Sequence, residues 1–147
     1  MTCTNKHRQA AISEVTNKIG LRLLAIPTEK PSLESGQAVV DQIISSGVTG
    51  AIAFNDLIAY RIMTELSSSS LAVPIFFSIV GCDNSISFFT NPPLTSASNE
   101  TTEAGEIACE IIMGLLGETN STNNQIKVLK TLLIERETIG PPPKNNL

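Results

Sequence analysis

A chain of 147 residues is long enough for one compact domain with a core of its own. Hydrophobic residues make up 41% and charged residues 16%, which excludes a disordered chain, and with five phenylalanines, one tyrosine and no tryptophan the core has to be aliphatic. The net charge is −4 and the ten Lys and Arg residues are scattered, which excludes the basic face by which nucleic-acid binders hold phosphates.

In chain order, residues 6–19 read as a helix, with Ala11, Val15 and Ile19 at helical spacing and Gly20 as its stop. LRLLAIP (21–27) suits a buried strand ending at Pro27. Ser32 is placed to cap a second helix with Val39, Val40, Ile43 and Ile44 on one face. TGAIAFN (49–55) is a second strand. DLIAYRIMTEL (56–66) is a helix that begins with an acid, where the helix dipole favours one. Serines 67–70 form a loop, and IFFSIVG (75–81) a third strand that exits through GCDNS. Residues 86–93 are irregular, and LTSAS (94–98) is a short strand or an extended link. Residues 100–116 form the clearest helix, with Ala104, Ile107, Ala108, Ile111, Ile112, Leu115 and Leu116 as a wide apolar stripe. A polar loop (118–125), a last strand (126–138) and a frayed tail (140–147) complete the chain.

Alternating helices and short apolar strands predict an α/β fold, a mostly parallel sheet with helices on both faces. Right-handed crossovers place the C-terminal ends of the strands on one rim, where open sheets bind their ligands. That rim would carry three loops, holding Glu29 and Lys30, Asn55 and Asp56, and Asp83 and Asn84.

Catalytic and metal chemistry find little support. His7 is the single histidine, and Cys3, Cys82 and Cys109 form no close pair, so the spacing of a zinc site is missing. No glycine-rich phosphate loop and no paired acid and base occur, so neither an enzyme nor a cofactor is expected. The N-terminal fifteen residues have no long apolar run, which predicts neither export signal nor anchor, and a cytoplasmic location.

Several segments resemble the LacI/GalR family of bacterial transcription regulators. They are HRQAA (7–11), LESGQAVVDQII (33–44), AIAFNDLIAYRIMTEL (51–66), VPIFFSIVGCDN (73–84), NPPLTSAS (91–98), the helix carrying Gly105 and Ala108, and LLIERETIGPP (132–142). They follow the family order over almost the whole chain. The resemblance implies the C-terminal lobe of a two-lobed, periplasmic-binding-protein-like sensor (residues 1–139), with no counterpart of the helix-turn-helix headpiece. It implies a small-molecule effector (a sugar, or a nucleoside or purine-like compound) and no direct DNA contact from this chain. It also implies a homodimer, or a heterodimer with an intact relative, through helix 56–66 and Phe88 and Phe89; those apolar residues otherwise fill the core. A solute-binding protein and a non-functional remnant are the alternatives.

Four residues carry the expected site. Asp83 matches the family's ligand-contacting acid, and a carboxylate accepts two neighbouring hydroxyls; otherwise it closes a turn. Asn55 offers its amide to a ligand or caps helix 56–66. Arg8 aligns with a ligand-contacting arginine or is a surface residue. Asn99 matches a contact between lobes or caps helix 100–116. Asp56 reads mainly as a helix-start acid, and Cys82 as a packed thiol. The chain departs from the pattern at Ala11, Pro31 (near where some members stack an aromatic on a sugar), Arg61, Phe76, Cys82 and Asn84, which implies a divergent ligand or relaxed constraint. In the family, helix 100–116 belongs to the other lobe. Without it, the helix is expected to fold back on the sheet, to pair with another chain, or to leave the domain weakly stable.

Overall fold

The computed structural model describes residues 3–27, 33–99, 101–116 and 126–143. Its elements are α1 (Cys3–Lys18), α2 (Leu33–Ser46), β1 (Gly50–Ile52), α3 (Asp56–Ser68), β2 (Ser78–Cys82), a 3-10 turn (Ser87–Phe89), β3 (Thr95–Ser98), α4 (Thr101–Leu116) and β4 (Leu132–Ile134). The strands lie in the order β1-β2-β3-β4. β1, β2 and β3 run parallel, with Ile52 opposite Val80 and Cys82 opposite Ala97, whereas β4 runs antiparallel to β3. The sheet is therefore mixed and mostly parallel.

The core lies where α2 and α3 meet the sheet. In α3 the spacing of Ala59, Ile62, Met63 and Leu66 puts four buried side chains on one stripe. They pack with Val39, Val40 and Ile43 of α2 and with Ala53, Phe77, Ile79 and Leu94 around the strands. Asn55 starts α3 by accepting the N–H of Ile58 at 2.9 Å, which satisfies one of the orphan donors of the first turn.

A polar clasp replaces apolar packing near the middle of the sheet. Thr138 is wholly buried. Its hydroxyl donates to Ile79 O at 2.6 Å and accepts the N–H of Thr95 at 2.9 Å, while its carbonyl accepts the N–H of Ile79 at 2.8 Å. Gly140 continues the clasp by exchanging two bonds with the Ser78 hydroxyl, at 3.0 and 3.2 Å.

Four expectations need correction. Residues 21–27 are not a strand: Leu21, Leu23 and Leu24 are exposed, and Arg22 ties the segment to Ser46 O at 2.7 Å through its side chain. An apolar run reports a wish for burial, but a strand also needs a ladder partner. The last strand is three residues long, with 126–131 outside it. The strand expected at 75–81 begins at Ser78, because 73–76 form a turn closed by Phe76 N–H to Ala72 O at 2.8 Å. Phe88 and Phe89 do not fill the core; they are 71% and 84% exposed and meet edge to face, 5.7 Å between centroids. The loop with Glu29 and Lys30 and the Ser32 cap lie outside the described residues.

Helix α4 has the boundaries its stripe predicts, yet it buries none of its residues. Of the three outcomes expected for it, folding back on the sheet is excluded.

Candidate functional site

The parallel register brings Asn55 and Asp83 together. Ile52 stands opposite Val80, and three further residues along each chain lead to Asn55 and Asp83. Both therefore leave the sheet at the same rim, the C-terminal ends of adjacent parallel strands. From the other side, Cys82 pairs with Ala97, which brings Asn99 to the same edge. Asp83 accepts a hydrogen bond from Asn99 Nδ2 at 2.7 Å, and its own N–H donates to Ala97 O at 2.9 Å. Asn99 thus holds the Asp83 carboxylate. The Asn55 carbonyl oxygen is engaged in the α3 cap, which leaves its amide nitrogen to provide donors.

Arg8 reaches the rim from α1. Its Nη1 donates to Phe54 O at 2.6 Å, and its guanidinium stands 5.0 Å from the centroid of the Phe54 ring, a cation–π contact. Cys82 is buried next to Asp83 in the chain, within the electrostatic reach of both charges. Burial pushes its thiol above the usual range, the Arg8 charge works against that shift, and the Asp83 carboxylate adds to it. The packed thiol expected at Cys82 is what the structure contains.

Asp83 adopts φ 93° and Asn84 φ 49°. This is the left-handed region, which Asp and Asn tolerate better than most residues, though at a cost for Asp83. A conformation of this kind persists only where its surroundings over-determine it.

Those surroundings were not legible in the sequence. Asp56 starts α3, as expected of a helix-start acid, but it is also wholly buried and acts as a hub. Its Oδ2 accepts the N–H groups of Ser85 (2.7 Å) and Ile86 (3.3 Å), and its Oδ1 accepts the Ser96 hydroxyl at 2.5 Å. Ser96 Oγ in turn accepts the Asn84 N–H at 3.1 Å. Arg136 fixes the far side of the turn. It donates to Asn84 Oδ1 at 2.8 Å, Ser87 Oγ at 3.0 Å and Leu94 O at 2.7 Å. A network of donors and acceptors, centred on the buried Asp56 and Ser96, thus sets the backbone that presents Asp83. The one available signal was the adjacency of Asp56 to Asn55, and capping chemistry already accounted for an acid there.

A second feature lies on a different surface. Tyr60, Met63, Thr64, Ser67 and Ser68 of α3, with Phe89 and Asn91, line an open cleft of 340 Å³. Tyr60 and Leu57 add exposed apolar surface on the same helix.

The chain belongs to the periplasmic binding protein-like domain family, which it matches over residues 2–139. Its relatives are regulators of transcription. The HTH-type transcriptional regulator MalR of Streptomyces coelicolor is 27% identical over 112 residues, 76% of this chain and 33% of its own length. Among solved structures, a LacI family transcriptional regulator from Bifidobacterium animalis superposes with a TM-score of 0.80 at 27% identity, over 93% of this chain and 51% of that one. A LacI family regulator from Arthrobacter, solved in complex with lactose, has a TM-score of 0.73 at 26% identity, over 89% and 50%. The chain spans about a third of the curated relative and about half of each solved chain. Among the described residues, no helix is long and apolar enough to cross a membrane.

Proposed function

We propose that this chain is the effector-binding and dimerisation lobe of a LacI/GalR-type transcription regulator, with a sugar as the effector. The observation that carries the reading is the register of Asn55 and Asp83 at one rim, with Asn99 holding the carboxylate and Arg8 standing above Phe54. A carboxylate, an amide and a guanidinium converging on one edge suit a hydroxyl-rich guest, because each can serve two polar groups of the ligand at once. The lactose bound by the Arthrobacter regulator supports a sugar over a nucleoside. In this reading the chain works in the cytoplasm and touches no DNA itself. It pairs through α3 and the Phe88–Phe89 corner, either with a second copy or with an intact relative. The exposed apolar surface around the 340 Å³ cleft supports that choice of face.

A thermal-shift screen with mono- and disaccharides and with nucleosides tests the reading. A ligand at one hundred times its Kd adds about 2.7 kcal/mol to the stability of the folded state, a readily measured rise in Tm. The expected result is a rise with at least one sugar that disappears in Asp83→Ala. Silence from every sugar, or an undiminished rise in Asp83→Ala, would refute it.

A further inference from the structure

The sheet ends at β4, and among the described residues no strand lies on its outer side. Such an edge offers free N–H and C=O groups to any strand that arrives, and folded domains commonly break it with a proline or a bulge. Here β4 continues a run at 126–135, IKVLKTLLIE, that contains neither proline nor glycine and takes up no helix or turn from 126 to 131. Both faces of the run are open. Neighbouring side chains on an extended chain point to opposite faces, yet Leu132 and Leu133 are 51% and 55% exposed, and Ile126 and Val128 are 89% and 88% exposed. Apolar side chains open on both faces of an unpaired edge mark a contact.

The charges select the partner. Lys127 and Lys130 guard the edge against a neutral or basic strand, a usual protection of sheet edges. A second copy of the same run answers them. Two-fold antiparallel pairing centres on one residue, and with Thr131 opposite its counterpart, Lys127 stands opposite Glu135 and Leu129 opposite Leu133. On the other face Val128 meets Ile134, and the Lys130 stem lies against Leu132. The symmetry repeats each of these pairs. Opposite charges, Thr–Thr and apolar pairs are the cross-strand contacts that stabilise antiparallel sheets. Other registers fit worse: centring on Lys130 opposes two lysines, and centring on Leu132 sets Glu135 against Leu129.

We infer that the β4 edge is a pairing surface for a second copy of this chain, joined antiparallel about Thr131 into one continuous sheet, β1-β2-β3-β4-β4-β3-β2-β1. The pairing extends β4 backwards through 127–131. It uses a different surface from the α3 face of the functional reading and does not rest on that reading. Two such two-fold contacts on one chain give a tetramer where they close and a longer array where they do not.

The test uses the full 147-residue chain carrying Phe89→Asp, a change at an exposed residue that blocks the α3 face. Size-exclusion chromatography with light scattering, over a wide range of concentration, is expected to show a dimer. Lys127→Glu and Glu135→Lys each weaken it about tenfold or more, because the two-fold doubles every charge reversal. The double variant, with the charges exchanged, restores the dimer. Both positions are exposed, and circular dichroism of each variant confirms that the fold is kept. Hydrogen exchange at the amides of 127–131 is expected to slow on dimerisation. Four results overturn the inference: a monomer at every concentration, a dimer indifferent to both reversals, reversals that the double variant does not rescue, or fibrous aggregation in place of a dimer. The sugar screen with Asp83→Ala reads independently. A chain that binds sugar but stays monomeric in Phe89→Asp sinks this inference and leaves the functional reading standing.

Discussion

Replacing Asp56 by alanine is predicted to be the most damaging single change in the sheet-end network. The substitution strands three donors: the hydroxyl of Ser96 and the N–H groups of Ser85 and Ile86. Ser96 is wholly buried, so water does not replace the lost acceptor there, whereas Ser85 is exposed and recovers part of its bond from solvent. A hydrogen bond to a charged group contributes about 1.5–3 kcal/mol, and an orphaned buried donor costs about 1–3 kcal/mol. Counting Ser96 in full and the two backbone donors in part, the loss is about 3–5 kcal/mol. That is a large share of the 5–15 kcal/mol typical of a domain. Equilibrium urea unfolding followed by circular dichroism measures it. Because Asp56 and Ser96 form one unit, the double variant with Ser96→Ala should be less destabilised than the sum of the singles, by about 1–2 kcal/mol. A loss below about 1 kcal/mol in Asp56→Ala, or strict additivity with Ser96→Ala, would show that the network does not hold the turn.

Three further predictions probe other links in the site. In Gly81→Ala the new methyl collides with Asp56 Oδ1 and lies 2.7 Å from Leu94 Cδ2, both buried; overpacking of this kind is expected to cost about 2–3 kcal/mol in the same unfolding assay, and an unchanged midpoint argues against the close approach. Asn55→Ala removes the α3 cap and costs about 1 kcal/mol, whereas Asn55→Ser restores the cap without the amide; stability recovered without effector binding would separate the two roles of this residue. Cys82 is buried and its thiol is pushed up, so peptide-mapped alkylation at pH 8 should modify the exposed Cys109 first. With the folded thiol above its unfolded value, the native state holds more protons on the alkaline side. Stability then falls as pH rises past the ordinary pKa of an unfolded thiol, and Cys82→Ala should flatten that slope.

The sequence was most informative where local chemistry and burial agree. Helix α3 combines a capping Asn55, an acid at its start and a stripe facing the core, and all three are present in the structure. The rim was legible for the same reason, because loops that follow parallel strands share an edge whatever their length. Two kinds of information were missing. Apolar residues report that a segment wants cover, but not what provides it. The run at 21–27 therefore read as a strand, and the stripe of α4 gave the right boundaries with no core beneath them. Long-range polar pairing leaves no periodic trace either. The donors that satisfy Asp56 come from 29 to 40 residues away, and the acceptors of Arg136 from 42 to 52 residues away. Neither residue differs in sequence from an ordinary surface charge.

The threonine clasp has a consequence for anyone who engineers this chain. Most domains tolerate trimming or extension near a terminus because little depends on the last few residues. Here a residue close to that end is wedged between two inner strands and supplies both a donor and an acceptor to Ile79. A fluorescent reporter or affinity tag spliced in at Arg136 would open the sheet at its middle instead of loosening a margin. The workable junction lies beyond Gly140, after the final bond to Ser78 has been made.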